Sequence, residues 1–250
     1  MKTTFLLCIL FVSTFVAAQN VTDAKGKKQG AWSKVYPGSK VYQYKGQFKD
    51  DKPIGTFTYY YPNAKVKAIV KHDAGTNRAV AFFYHDNGVV MSQGIYRDLK
   101  KDSIWLNFGP SGKLSTAETF KNDLLNGKRT VYYVSDDPND KSQKVMEVSN
   151  YTDGLLHGES IQYFDNGTLR EKGTYVKGKK EGVWERYHAS GVKMVQERYK
   201  NGQKHGWCYA YSEAGKELGK VYYYNGQHLE GKALEQKLAE LKRKGIDPNQ

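Results

Sequence analysis

Short runs of alternating apolar and polar residues recur along the chain, separated by small polar stretches rich in Gly, Asn and Asp. VWERYHASG (183–191) and MVQERYKNG (194–202) are typical. Alternation over five to seven residues reads as a half-buried strand, and Asn-Gly reads as a tight turn, because both residues tolerate positive φ. Two segments break the pattern. Phe5 to Val16 is an apolar run after Lys2, closed by the small residues Ala17 and Ala18. It reads as a signal peptide over 1–18, too short to span a bilayer, with 19–29 as a lead-in to the strand region. At the other end, Leu234, Leu238 and Leu241 share one helical face before Gly245, which predicts a helix within 231–250. Laid over the last hairpin it caps the array; the alternative is an amphipathic helix at a membrane surface.

The strand pattern is periodic. DGLLHGESIQYFDNG (153–167) aligns with KGKKEGVWERYHASG (177–191) at a shift of 24, and with NGQKHGWCYAYSEAG (201–215) at a further 24. Taking the second Gly as marker gives Gly30, Gly55, Ala79, Ser103, Gly127, Gly158, Gly182 and Gly206, then Gly231. The one long step, 31 residues from Gly127, is accounted for by an insertion at 134–143. Eight hairpin units therefore fill 30–230. Two residues after the marker stand Trp32, Phe57, Trp105 and Trp184; five after it stand Tyr60, Tyr84, Phe108, Tyr163, Tyr187 and Tyr211. These columns predict a structural ladder of aromatic side chains. Trp184 and Tyr187 are three apart, so alternation puts them on opposite faces unless a bulge or strong twist brings them together. The fold class is all-β, an elongated single-sheet array of β-hairpins with a 24-residue period and a short capping helix. Sixteen strands at ~4.8 Å spacing give a ribbon of roughly 75 Å.

Composition agrees with this reading. Of 250 residues 20 are Tyr and 25 Gly, with only 4 Met and 2 Cys, too little aliphatic material for a thick core. Two cysteines exclude a disulfide scaffold and a multi-thiolate metal site. Removing 1–18 takes away Lys2 and Cys8, so the net charge of +13 becomes +12 and Cys208 remains alone.

The units GKKEGVWERYHASG (178–191), 202–215 and 154–167 resemble the MORN repeat in its bacterial variant, a likeness that extends over nearly all of 30–230. Ala79 and Ser103 depart from the pattern at the marker of copies three and four. The resemblance implies an elongated hairpin array without catalytic machinery, used for interaction or scaffolding. In some members membrane or phospholipid contact is proposed, and many bacterial relatives carry the label of antitoxin in a toxin–antitoxin pair.

Chemistry is sparse. No nucleophile elbow, phosphate loop, zinc-protease motif or clustered Cys/His spacing occurs, so an enzyme is not expected, nor a metal or cofactor. His157 and His205 share one repeat position two units apart, too far for a common ion, and read as solvated turn residues. Cys208, three residues after His205, falls in the Trp column and reads as a small apolar filler rather than a nucleophile. The lysines, among them Lys179, Lys180 and Lys204, are assigned to turns. Aromatic–basic interleaving also suits single-stranded nucleic acid, but the rings follow the repeat period and export removes the chain from such ligands. The expected partner is a protein, with an anionic membrane surface or glycan as the alternative. Candidate contacts are the three lysines and the acidic insertion residues Asp136, Asp137 and Asp140. The expected location is outside the cytoplasm: periplasmic, envelope-associated or secreted.

Overall fold

A computed structural model describes residues 19–249 except 136, 138 and 141. The signal peptide read at 1–18, with Cys8, lies outside these residues, as does Asp136. The chain is a meander: each strand pairs antiparallel with its neighbours in sequence, from Val21–Thr22 to Gln227–Leu229. The first and last strands have one partner each, so the sheet is open. Among the described residues it has nineteen strands rather than sixteen. The additions are the two short terminal strands and a break at His205, which splits one strand into Gln203–Lys204 and Gly206–Tyr211. End strands of two and three residues leave little free edge for pairing with another chain.

Two turn types alternate. The first, for example 188–192, is closed by His188 N–H to Val192 O at 2.8 Å and Gly191 N–H to His188 O at 2.8 Å. Gly191 has φ 87°, which makes this a type I turn followed by a left-handed bulge residue. In copy two the corresponding residue is Ala64, held at φ 65°. A left-handed alanine costs about 1–2 kcal/mol that glycine avoids. Ala64→Gly is therefore expected to raise the urea midpoint through a gain in stability of about 1 kcal/mol, after the entropy of an added glycine is subtracted; a lowered midpoint contradicts this. The second turn has two residues, both at positive φ: 52° and 85° at Asn201-Gly202, and 49° and 79° at Lys177-Gly178.

Both rows of turns are stitched between repeats. On one edge the turn amides of Gly178, Gly202 and Gly226 donate to Leu156, Lys180 and Lys204 carbonyls of the preceding repeat at 2.8–2.9 Å. On the other, the hydroxyls of Tyr36, Tyr61 and Tyr133 donate to the carbonyls of Tyr60, Tyr84 and Tyr163 at 2.7–2.8 Å. His85 Nε2–H donates to Phe108 O at 2.9 Å in the same manner.

The marker glycines are not turn residues. Gly55, Gly158, Gly182 and Gly206 lie within or between strands at φ 64°, 99°, 69° and 91°. There the pairing slips: Gln47 faces Ile54 but Lys45 faces Thr58, so three residues of one strand face Gly46. Ser103 keeps this bulge at φ 60°. Ala79 abandons it, and Val66–His72 pairs with Arg78–Tyr84 without a slip.

The C-terminal helix, Gly231–Arg243, folds over the last hairpin. Leu241 is buried, and Lys237 Nζ lies 4.2 Å from the Tyr224 ring centroid. The Tyr222 hydroxyl donates to Pro248 O at 3.0 Å, and Trp207 N–H to Asn249 Oδ1 at 3.2 Å. Among the described residues no helix is long and apolar enough to cross a membrane.

Candidate binding surface

The bulges organise one face of the sheet, the front. Each bulge lays the residue two after the marker over a residue eleven positions earlier. Trp184 covers Gly173, Trp105 covers Gly94 and Phe57 covers Gly46; a Cβ at these glycines would lie 2.2–2.4 Å from the ring. The indole N–H groups of Trp105 and Trp184 donate to Ile95 O and Thr174 O at 3.1 and 3.2 Å. Where the upper residue is not a ring, the lower one is not glycine. Ala81 faces Val70, Ser160 faces Ser149, Arg129 faces Glu118, and Cys208 stands eleven after Glu197. The pairs are matched in size and charge, and the row holds most of the buried side chains: Phe57, Ala81, Trp105, Ser149, Ser160, Trp184, Glu197 and Cys208.

Rings from the preceding strand complete the packing edge-on. Phe48 lies 5.1 Å from Phe57, Tyr96 4.9 Å from Trp105 and Tyr175 4.9 Å from Trp184. Trp32, at the start, packs on Phe48 at 5.9 Å. None of the ring pairs among the described residues includes Tyr60, Tyr84, Phe108, Tyr163, Tyr187 or Tyr211. Tyr60, Tyr84, Phe108 and Tyr163 instead supply the carbonyls that hold the next repeat, and Tyr187 Oη–H donates to Glu185 Oε2 at 2.8 Å on the back face.

Several lysines assigned to turns are in strands. Lys28 and Lys180 are two of them; with Lys101, which carries no such assignment, they stand four residues before a tryptophan and hold Nζ 5.0 (Lys28), 3.7 (Lys180) and 4.6 Å (Lys101) from its ring centroid. Such contacts add about 0.5–2 kcal/mol each and use charge that composition alone leaves looking free. The signal is visible in retrospect as K-x-x-x-W.

Next to the first row runs a second, formed by directly paired neighbours. It begins with Tyr44, Tyr59, Ala68 and Phe83, passes through Ser92, Asn107 and Thr116, and ends with Glu147, Gln162, Glu171 and Arg186. The front face is thus aromatic in its N-terminal half and charged in its C-terminal half. Arg129 bridges Glu118 and Glu147 at 3.1 and 3.4 Å. Lys180 Nζ meets Glu171 at 3.1 Å, and Lys204 meets Glu197 at 2.7 Å with Arg186 at 3.8 Å. Glu171, Lys180, Arg186, Glu197 and Lys204 line a cleft of about 620 Å³.

The structure brings Lys180 and Lys204 together in this cleft, and leaves Lys179 exposed beside the turn row. The insertion sits apart, on the first-turn edge, where Tyr133 N–H donates to Lys144 O at 2.9 Å. Lys113 Nζ ties it down through Ser135 O and Asp137 O. Asp140 accepts from Ser142 N–H at 2.8 Å, and its bonds from the Ser142 side chain and amide and from Ser135 hold the carboxyl at about 2. His157 is exposed, but His205 is buried rather than solvated, its Nδ1 3.0 Å from Asn225 Oδ1. Cys208 is buried, and burial pushes its thiol up, as suits packing rather than nucleophilic attack. Among the described residues no group of three His, Cys, Asp or Glu side chains is placed to hold a metal.

Two glutamates of the sheet, besides Glu240 of the helix, titrate below their ordinary range. Burial alone would raise Glu185, but bonds from Lys193, Tyr187 and Lys172 bring it down to about 2 from 4.5. Glu197, also raised by burial, is brought below its ordinary value by Lys204 and Tyr199. A depressed folded-state pKa stabilises the fold above the unfolded value, and that contribution is lost as pH falls through the folded one. Thermal stability is therefore expected to drop as pH falls from 4.5 towards about 2. Glu185→Gln is expected to flatten that drop; an unchanged slope contradicts the assignment.

A single open sheet of bulged hairpins, stitched along both edges, defines the class: a β-hairpin repeat protein. The model of the MORN repeat variant matches residues 156–177 and 180–201, so the chain carries MORN-variant repeats there. No curated protein matches the sequence. Among solved structures, a chain of the "Crystal Structure of TcdB2-TccC3-Cdc42" is similar at 12% identity and TM-score 0.20. The match covers 81% of this chain and spans 12% of that one.

Proposed function

We propose that this protein is a non-catalytic scaffold that holds a protein partner against the charged half of its front face. The observation that carries the reading is the cleft lined by Glu171, Arg186, Glu197 and Lys204, where ion pairs remain partly open to solvent. Neighbouring strands are paired on both sides, so recognition falls to side chains. Repeat arrays present such surfaces as one rigid unit, and alternating charge favours selectivity over raw affinity. The signal peptide read at 1–18 supports a place outside the cytoplasm; a mature N-terminus at Gln19 would agree with it. An antitoxin or immunity role is a specialisation of the same reading and rests on the family resemblance.

The test compares the mature chain with Arg186→Glu in affinity capture from an envelope extract. A defined protein retained by the first and lost by the second, with matching circular dichroism, is the expected result. Equal retention by both, or binding to anionic vesicles alone, contradicts it.

A further inference from the structure

The aromatic half of the front face contains a second opening, of about 530 Å³, lined by Tyr36, Tyr44, Tyr59, Ala68, Phe83 and Tyr96. Its origin is one small residue. In the row Tyr44, Tyr59, Ala68, Phe83 each residue directly faces the next across paired strands, and Ala68 leaves a notch between two rings. Tyr44 and Tyr59 wall it with rings tilted by 44° at 6.1 Å, and both rest on the buried Phe57, at 29° and 28° to its plane. Of the lining tyrosines, Tyr36 spends its hydroxyl on the Tyr60 carbonyl at 2.8 Å. The hydroxyls of Tyr44, Tyr59 and Tyr96 bond to no group among the described residues and are not sealed from water. The lining holds no carboxylate. Its one cation, Lys67, is directed at the Tyr61 ring, 5.8 Å away.

We propose that this notch binds a neutral saccharide, one or two pyranose rings of a β-1,4-linked chain with equatorial hydroxyls. Such a ring has a flat C–H face that stacks on a single phenol ring, Tyr44 or Tyr59, and a rim of hydroxyls that exchange hydrogen bonds with phenols. The notch offers both and little else. An added peptide strand finds no free backbone here, because the strands Tyr42–Lys49, Lys52–Tyr60, Val66–His72 and Arg78–Tyr84 are each paired on both sides. A cationic ligand finds no carboxylate in the lining, and an anionic one would meet a single ammonium, that of the exposed Lys67. The volume lies in the ordinary range for small-ligand sites, roughly 300–1,000 Å³.

The test titrates the mature chain with cellotetraose, followed by calorimetry and by aromatic resonances in NMR. Its controls are a β-1,4-galactose tetramer, whose axial O4 linkages bend the chain out of a flat ribbon, and decaproline, which also stacks on rings. The expected result is one-to-one binding of cellotetraose that shifts Tyr44, Tyr59 and Phe83 and exceeds binding of either control. Ala68→Leu, which fills the notch, is expected to weaken it about tenfold or more, equivalent to about 1.4 kcal/mol. Tyr59→Phe, which keeps the ring and removes one hydroxyl, is expected to weaken it less, and reports on the site should Ala68→Leu fail to fold. Absence of cellotetraose binding, equal or tighter binding of decaproline or the galactose tetramer, or binding unaffected by both substitutions overturns the proposal. Partner capture through Arg186 is read separately and stands or falls on its own.

Discussion

Gly173→Ala is expected to destabilise the array by about 3 kcal/mol, the scale on which overpacking and loss of a buried ring act. The new Cβ would lie 2.2 Å from Trp184 Cδ2 and 2.3 Å from Cε2, which is rigid ring rather than a flexible chain end. Trp184 is buried, donates to Thr174 O and supports Tyr175, so it cannot move aside without losing all three contacts. The sign is diagnostic. Gly173 is not at positive φ, and at such a position alanine ordinarily stabilises a protein through the unfolded chain. The double variant Gly173→Ala, Trp184→Ala should cost clearly less than the sum of the single ones, because the clash and the lost ring then become one event. Copy three is a natural precedent, with Val70 beside Ala81 and no ring. Additive costs in urea melts, or a stabilising Gly173→Ala, would show that the ring is not seated on the glycine.

Trp105→Ala is expected to cost about 3–5 kcal/mol and to split unfolding into two transitions. Trp105 is 1% exposed; it joins Phe83, Tyr96 and the Ile95 carbonyl of the two preceding strands, and Lys101 of its own strand rests on its ring. Each hairpin of the sheet contacts only its neighbours, so coupling between the halves passes through this point. Differential scanning calorimetry of the variant should show a calorimetric enthalpy larger than the van't Hoff value. A single two-state transition within about 1 °C of wild type contradicts the proposed coupling.

The 24-residue register, the order of strands and the terminal helix are legible in the sequence because turn chemistry and alternation act locally. Asn201-Gly202 and the Leu234–Leu238–Leu241 stripe declare themselves without neighbours. The bulge is not local. Nothing around Gly182 distinguishes a turn glycine from a mid-strand one until Lys172 is found opposite Glu185 while Thr174 is opposite Glu181. The consequence is readable afterwards as a constant spacing of eleven: Gly46–Phe57, Val70–Ala81, Gly94–Trp105, Glu118–Arg129, Ser149–Ser160 and Gly173–Trp184. The aromatic columns are visible as composition and period, but which column stacks depends on this slip, and so Tyr60 and Tyr84 read alike with Trp105 in sequence while doing different work. Lysines are misplaced for a similar reason: Lys180 follows a turn by one residue, yet its ammonium rests on Trp184. The binding surfaces are least legible. A repeat specifies the face it presents many times over, whereas the partner is chosen by exceptions to it, such as Ala68 between two rings or Arg186 among carboxylates.

The central claim is that bulged rings sit on glycines along one face, and NMR of the unmodified protein tests it without perturbation. Ring currents from Phe57, Trp105 and Trp184 should move one Hα resonance each of Gly46, Gly94 and Gly173 well upfield, with nuclear Overhauser contacts between each glycine and its ring. Ordinary glycine shifts without those contacts would contradict the arrangement.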